Sequence, residues 1–195
     1  TMPKIVTDEE RALIKEAIYS KTIQLIKKKG IKAVTVDDIV QAVGIGKGSF
    51  YSYYSSREAC LFEVIKRSER EVFSRMEEMM VSIHSDKERV IKLLKEIVVS
   101  QDSLFSSINT FDVEVLLRKL PAEYRMAENE KVENNFQKAL QLLNLNEQSM
   151  EVVALLMDCL SYAASNPSYS QNGIKKSLDI LINAIGDFIT EGNKA

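Results

Sequence analysis

In the run Lys47-Gly48-Ser49-Phe50-Tyr51-Ser52-Tyr53-Tyr54, three tyrosines fall in four consecutive positions beside small polar residues and one lysine. Phenolic hydroxyls and a basic head group donate hydrogen bonds to phosphate oxygens and fix a protein's register on a duplex. Small residues such as Gly48, Ser49 and Ser52 let a helix backbone come close to base edges in a major groove. Phe50 and Tyr54 are four apart, share one helix face and read as core. Tyr51 and Tyr53 fall on other faces, where packing alone explains them less well.

Little else in the chain could do chemistry. Catalysis would need a nucleophile–base pair, a metal cluster or a phosphate loop. His84 stands alone beside Ser85-Asp86 and reads as a surface turn residue. Cys60 and Cys159 lie far apart in apolar helical patterns and read as reduced core residues. No enzyme, cofactor or metal is expected. A helical interaction module is the remaining alternative, but such a module would be free to lose the tyrosines and Lys47.

The elements around the run must position it. Thr7-Asp8-Glu9-Glu10 is a capping box, and Ile14, Ala17, Ile18, Thr22, Leu25 and Ile26 follow at helical spacing. Lys27, Lys28 and Lys29 complement the helix dipole before Gly30 closes the helix. Thr35-Val36-Asp37-Asp38 caps a short second helix that ends at Gly44-Ile45-Gly46. A third runs from about Lys47 to Tyr53, and Ser55 or Ser56 opens a long fourth to about Val81. Two short helices joined by a glycine-containing turn behind a longer one describe a helix-turn-helix.

Everything beyond is helical in pattern: about Asp86 to Val98, Val113 to Leu120, Pro121 to about Leu143, 147–165 and 173–191. The fold class is all-α, about nine helices, in an N-terminal helix-turn-helix unit (1–57) and a C-terminal helical bundle (58–195). The net charge of -2 hides an asymmetry: residues 1–57 hold ten Lys and Arg against six Asp and Glu, and the remainder sixteen against twenty-two. A basic head on an acidic body suits a small nucleic-acid-binding unit attached to one that avoids it. Residues 1–6 do not read as a basic-then-apolar leader, Thr1-Met2 reads as a remnant ahead of the natural start, and no apolar stretch reaches membrane length. A soluble cytoplasmic protein is expected.

The stretch Gly30–Thr35, then Ile39-Val40-Gln41-Ala42-Val43-Gly44-Ile45-Gly46-Lys47-Gly48-Ser49-Phe50-Tyr51-Ser52-Tyr53-Tyr54, then Ser56-Arg57-Glu58, resembles the signature of TetR-family repressors. The resemblance covers about the first 60 residues; beyond them only length and helical pattern agree. It implies phosphate contacts from Thr35, Tyr51, Tyr53 and Arg57, base reading by Lys47, Ser49 and Ser52, and close approach at Gly48. Gly46 departs from the family's usual Ser or Thr cap, which puts one phosphate contact in doubt.

The resemblance also implies a homodimer on a palindromic double-stranded operator, joined through the last two helices. Met150, Val153, Ala154, Met157, Leu160 and Ala164 line one face of the first of these. Ile174, Leu178, Leu181, Ile182, Ile185, Phe188 and Ile189 line the second, a stripe wide enough to serve both the subunit's own core and a partner. A small apolar or amphipathic organic effector is expected among the middle helices. Its candidate walls, each more readily read as ordinary core, are Phe62, Phe105, Phe111, Tyr124, Met126, Phe136, Met157 and Tyr162. The effector would act by shifting the long fourth helix.

Overall fold

The computed structural model describes residues 7–80, 86–99, 103–104, 107–126, 137, 146–164, 166 and 168–192. Among them every regular element is helical: α1 (Asp8–Lys29), a 3₁₀ turn (Ile31–Ala33), α2 (Val36–Val43), α3 (Lys47–Tyr51), α4 (Arg57–Met80), α5 (Asp86–Val99), α6 (Thr110–Leu117), α7 (Glu147–Ala164) and α8 (Gln171–Gly192). Residues 122–126 add a further helical turn after Pro121.

Local chemistry sets the N-terminal boundaries. The Thr7 hydroxyl accepts from the Glu10 amide at 3.1 Å, and the Glu10 carboxylate accepts from the Thr7 amide at 3.1 Å. Thr35 and Asp38 repeat the box at α2. Gly44 closes α2 in the left-handed region at φ 79°, its amide reaching the Val40 carbonyl at 2.9 Å. The third helix is shorter than its sequence suggests, ending at Tyr51 rather than Tyr53. The Ser52 hydroxyl donates to the Ser49 carbonyl at 2.6 Å and the Ser52 amide to the same oxygen at 3.1 Å, which tightens the chain out of the α-helix.

One buried cluster joins α1–α3 to the body. Phe50, Ile18, Ile26, Val34 and Ile39 are fully buried, and with them pack Cys60, Leu61 and Ile65 of α4 and Leu104, Ile108 and Leu116 around α6. The α4 rod, about 36 Å long, is clamped to α1 by Arg67. This guanidinium pairs with Glu16 at 2.6 Å and Glu71 at 2.8 Å and stacks 3.8 Å from the Tyr19 ring, while the Tyr19 hydroxyl donates to Glu71 at 2.6 Å. A second cluster forms where α5, α7 and α8 meet, around Leu94, Val153, Leu178, Ile182 and Ile185. Gly186 lets α5 and α8 approach: a Cβ there would lie 2.8 Å from Ile91.

The two cysteines part company. Cys60 is buried, and burial pushes its thiol up to about 12. Cys159 is exposed, contrary to its apolar pattern, because it shares an outward face of α7 with Val152, Leu155 and Tyr162.

Thr22 offers a clean test of the N-terminal packing. Its hydroxyl is fully buried without a strong hydrogen-bond partner, and the polar group beside it is the Cys60 thiol. An unsatisfied buried hydroxyl contributes nothing that an isosteric methyl would lose. Thr22→Val should leave the urea unfolding free energy within ~1 kcal/mol of the parent or above it. A loss of more than ~2 kcal/mol would assign the hydroxyl a structural partner.

Candidate nucleic-acid interface and effector cavity

Helix α3 is too short to hold itself, and Phe50 anchors it. The Phe50 ring is fully buried, edge-on to Tyr51 at 5.3 Å and 5.7 Å from the Tyr54 ring. Tyr54 is buried too, and desolvation pushes its phenol well above the usual range. With that face committed inward, the others are presented outward. Tyr51 is 54% exposed, Lys47, Gly48 and Ser52 are exposed, and Ser49 is half-buried. Tyr53 is half-buried, with the Arg11 guanidinium 5.9 Å from its ring centre. A Cβ added at Gly46 or Gly48 would meet nothing within 4 Å, so no internal contact requires glycine at either position. Lys47 pairs with Asp37 at 2.8 Å, which raises its pKa.

Thr35 sits at the start of α2 with its hydroxyl donating to Asp38 at 2.5 Å and accepting from the Asp38 amide at 3.2 Å. Lys29, 2.5 Å from Asp38, and then Thr35 hold that carboxyl well below the usual carboxylate range. The cap therefore stays ionised above the ordinary carboxylate pKa, and its contribution is lost only as pH falls below it.

Arg57 has a task that sequence reasoning missed. Its Nε donates to the Val34 carbonyl, Nη2 to the Ile31 carbonyl at 2.8 Å and the Lys32 carbonyl at 3.2 Å, and Nη1 to Glu58 at 2.9 Å. The guanidinium thus grips the segment leading into α2 from the first residue of α4. No local signal announces this, because the carbonyls lie 23 to 26 residues away in sequence.

In the body, a cavity of about 350 Å³ opens between α4, the segment before α6, and α7. Ile65, Val72 and Phe73 of α4, Ile97 of α5, Ile108 and Val113 form its apolar wall. Its polar groups are Lys66, Glu69, Thr110, Asp158 and serines. The Lys66 ammonium lies 2.5 Å from Glu69, the Thr110 hydroxyl donates to Asp158 at 2.8 Å, and the Ser161 hydroxyl donates to the Ile108 carbonyl at 2.9 Å.

Among the described residues, none of the aromatics and methionines expected to form the wall lines this cavity. Phe62 is buried edge-on against Tyr124 at 5.6 Å, Met157 packs on the α5–α7–α8 core, and Met126 is exposed. Phe111 and Tyr162 are exposed and line a second cleft, of about 370 Å³, with Lys29, Lys32 and Asp112. Phe105 and Phe136 lie outside the described residues. In that cleft Lys32 pairs with Asp112 at 2.7 Å and sits 5.4 Å from the Phe111 ring centre. Helix α6 therefore touches the cavity through Thr110 and Val113 and the N-terminal unit through Phe111 and Asp112.

The last two helices divide the residues expected at a subunit interface. Val153, Leu178, Ile182 and Ile185 are buried in this subunit's own core, with Met150, Ile174 and Leu181 packed against them. A partner cannot reach the four buried ones. The Leu160 side chain lies outside the described residues, and Ala154 and Phe188 are exposed. The apolar face that points outward comprises Val152, Leu155 and Tyr162 of α7 with Ile180 and Phe188 of α8.

Among the described residues no group of three or more His, Cys, Asp or Glu side chains could hold a metal ion, and no helix is long and apolar enough to cross a membrane.

Residues 18–64 match the family model of bacterial regulatory proteins of the tetR family. Over 48 residues the chain is 48% identical to an HTH-type transcriptional regulator in the lacX 3' region of Lactococcus lactis subsp. lactis, a match spanning 24% of this chain and 24% of that relative. Two solved structures share the fold over nearly the whole length. FadR from Bacillus subtilis, in complex with stearoyl-CoA, is 17% identical with a TM-score of 0.58, covering 89% of this chain and 96% of that one. A transcriptional regulator from Saccharomonospora viridis, in complex with choline, is 16% identical with a TM-score of 0.61, covering 88% and 96%.

Proposed function

We propose that the chain, whose residues 18–64 match the tetR-family model of bacterial regulatory proteins, is a DNA-binding transcriptional repressor of that family, a homodimer controlled by a small organic effector rather than an enzyme. One observation carries the reading. A five-residue helix is anchored inward by Phe50 and turns Lys47, Gly48, Tyr51 and Ser52 outward. Lys47 and Ser49, with Ser52 just past the helix end, read base edges; Gly48 permits close approach, and Tyr51, Tyr53 and Thr35 hold phosphates. Lys47 exchanges Asp37 for DNA on binding. Arg57 serves the same interface at one remove, by fixing residues 31–34 ahead of the Thr35 cap.

Two such helices about 34–36 Å apart engage successive major grooves of a palindromic operator, which requires the dimer. The outward face of α7 and α8 is its interface. Two neighbours of the same fold were solved with choline and with stearoyl-CoA, which supports a body that takes organic molecules in its cavity. A ligand there displaces α6, and through Asp112 and Lys32, together with α4, alters the spacing of the recognition helices. It shifts that equilibrium only by binding one spacing more tightly than the other.

Fluorescence anisotropy tests the reading against the duplex upstream of the protein's own gene, with a scrambled duplex of equal length. Binding should prefer the upstream duplex and fall steeply with salt. Lys47→Ala with Tyr51→Phe should weaken it at least ~10-fold and narrow the preference for the upstream duplex. Equal binding of both duplexes, unmoved by the double variant, would contradict the assignment.

A further inference from the structure

We propose that the ligand of the cavity beside α4 and α6 is an organic cation with an apolar body, and that Asp158 receives its ammonium group. The cavity is small, about 350 Å³, and apolar over most of its wall, which limits the ligand to a short hydrocarbon body. Three ionisable side chains line it: Lys66, Glu69 and Asp158. They are not equivalent. The Lys66 ammonium is 10% exposed and held by Glu69 at 2.5 Å, with the Phe62 ring 5.7 Å away. An anionic ligand would have to displace the Glu69 carboxylate, itself 40% exposed, from a largely buried ammonium and then lie beside two negative charges.

Asp158 stands in the opposite condition. It is exposed, receives the Thr110 hydroxyl at 2.8 Å, and is paired with no cation among the described residues. An entering ammonium meets this carboxylate without breaking an existing ion pair, and a charge-assisted hydrogen bond is roughly twice as strong as a neutral one. The Phe73 ring in the same wall offers a second attraction that only a cation gains. The body of the ligand then lies against Ile65, Val72, Ile108 and Val113. Selectivity thus arises from the favourable pairing at Asp158 and from the cost of opening Lys66–Glu69.

The inference rests on the effector-controlled reading for its biological meaning, but its chemistry is measured separately. Calorimetry at neutral pH with the full chain would compare n-octylammonium, octan-1-ol and octanoate, one hydrocarbon body with three head groups. The cation should bind at least ~10-fold more tightly than the alcohol, and octanoate most weakly. Asp158→Asn, which keeps an acceptor for Thr110, should erase the cation's advantage while leaving octan-1-ol unchanged. Val113→Trp, which fills the cavity, should abolish binding of all three. Octanoate binding best, the alcohol matching the cation, or no binding of any probe would each overturn the proposal. Operator anisotropy with octylammonium bound separates the two readings: unchanged DNA affinity would refute effector control and leave the ligand class standing. Release of DNA by octanoate instead would do the reverse.

Discussion

Leu155→Glu is expected to convert the dimer to monomer at micromolar concentration and to weaken operator binding more than ~100-fold, while helicity stays at the parent level. Leu155 is 64% exposed on the outward face of α7, with Val152 and Tyr162 on the same helix and Ile180, 72% exposed, on α8. Large apolar side chains exposed on two neighbouring helices mark an interaction site, and other sides of both helices already form the subunit's own core. In a two-fold interface each substitution is present twice, so two carboxylates would enter an apolar contact. An unpaired buried charge costs several kcal/mol. Monomers hold only one recognition helix each and lose the second half-site. Analytical ultracentrifugation, circular dichroism and anisotropy on the same sample check the three parts. A Leu155→Glu protein that stays dimeric would move the interface elsewhere; one that loses helicity would place Leu155 in the core.

Phe50→Ala should cost ~3–5 kcal/mol, a large share of the ~5–15 kcal/mol that holds a domain together. The ring is fully buried, touches Tyr51 and Tyr54, and is the main anchor of a helix only five residues long. Its cluster extends through Cys60 and Leu61 to Leu104, Ile108 and Leu116, so the loss reaches the cavity floor as well as the recognition helix. The α5–α7–α8 cluster is a separate one. Hydrogen exchange should therefore accelerate throughout α1–α3 while amides of α8 stay protected, and operator binding should disappear although the dimer persists. Parent-like protection of α2 and α3 would contradict the assigned anchor.

The N-terminal unit was legible because its determinants are local. The capping box at Thr7–Glu10, the cap at Thr35 and the end of α2 at Gly44 are readable over a few residues, and the structure holds them as read. The end of α3 was misjudged because of Ser52, whose hydroxyl competes for a backbone carbonyl in a way composition does not announce, and α6 begins three residues earlier than expected, at Thr110 after the Asn109 cap. Non-local placement was beyond periodicity. Arg57 carries a basic head group wherever it points, and only the folded chain turns it onto three carbonyls. Large aromatics were natural candidates for cavity walls, yet the cavity is bounded mainly by medium aliphatic side chains and short polar ones brought together by helix crossings. In α7 the period identifies apolar residues on several faces. It does not say that Val153 goes inward and Leu155, two residues on, outward.

The most direct test of the account is selection of duplexes from a random pool by the purified protein, followed by sequencing of the enriched molecules. The account predicts an inverted repeat with half-site centres about one helical turn or a multiple of it apart, enriched by the parent and not by the Lys47→Ala, Tyr51→Phe variant. An enriched site without two-fold symmetry would contradict the dimer, and a pool that stays random through successive rounds would contradict DNA reading itself.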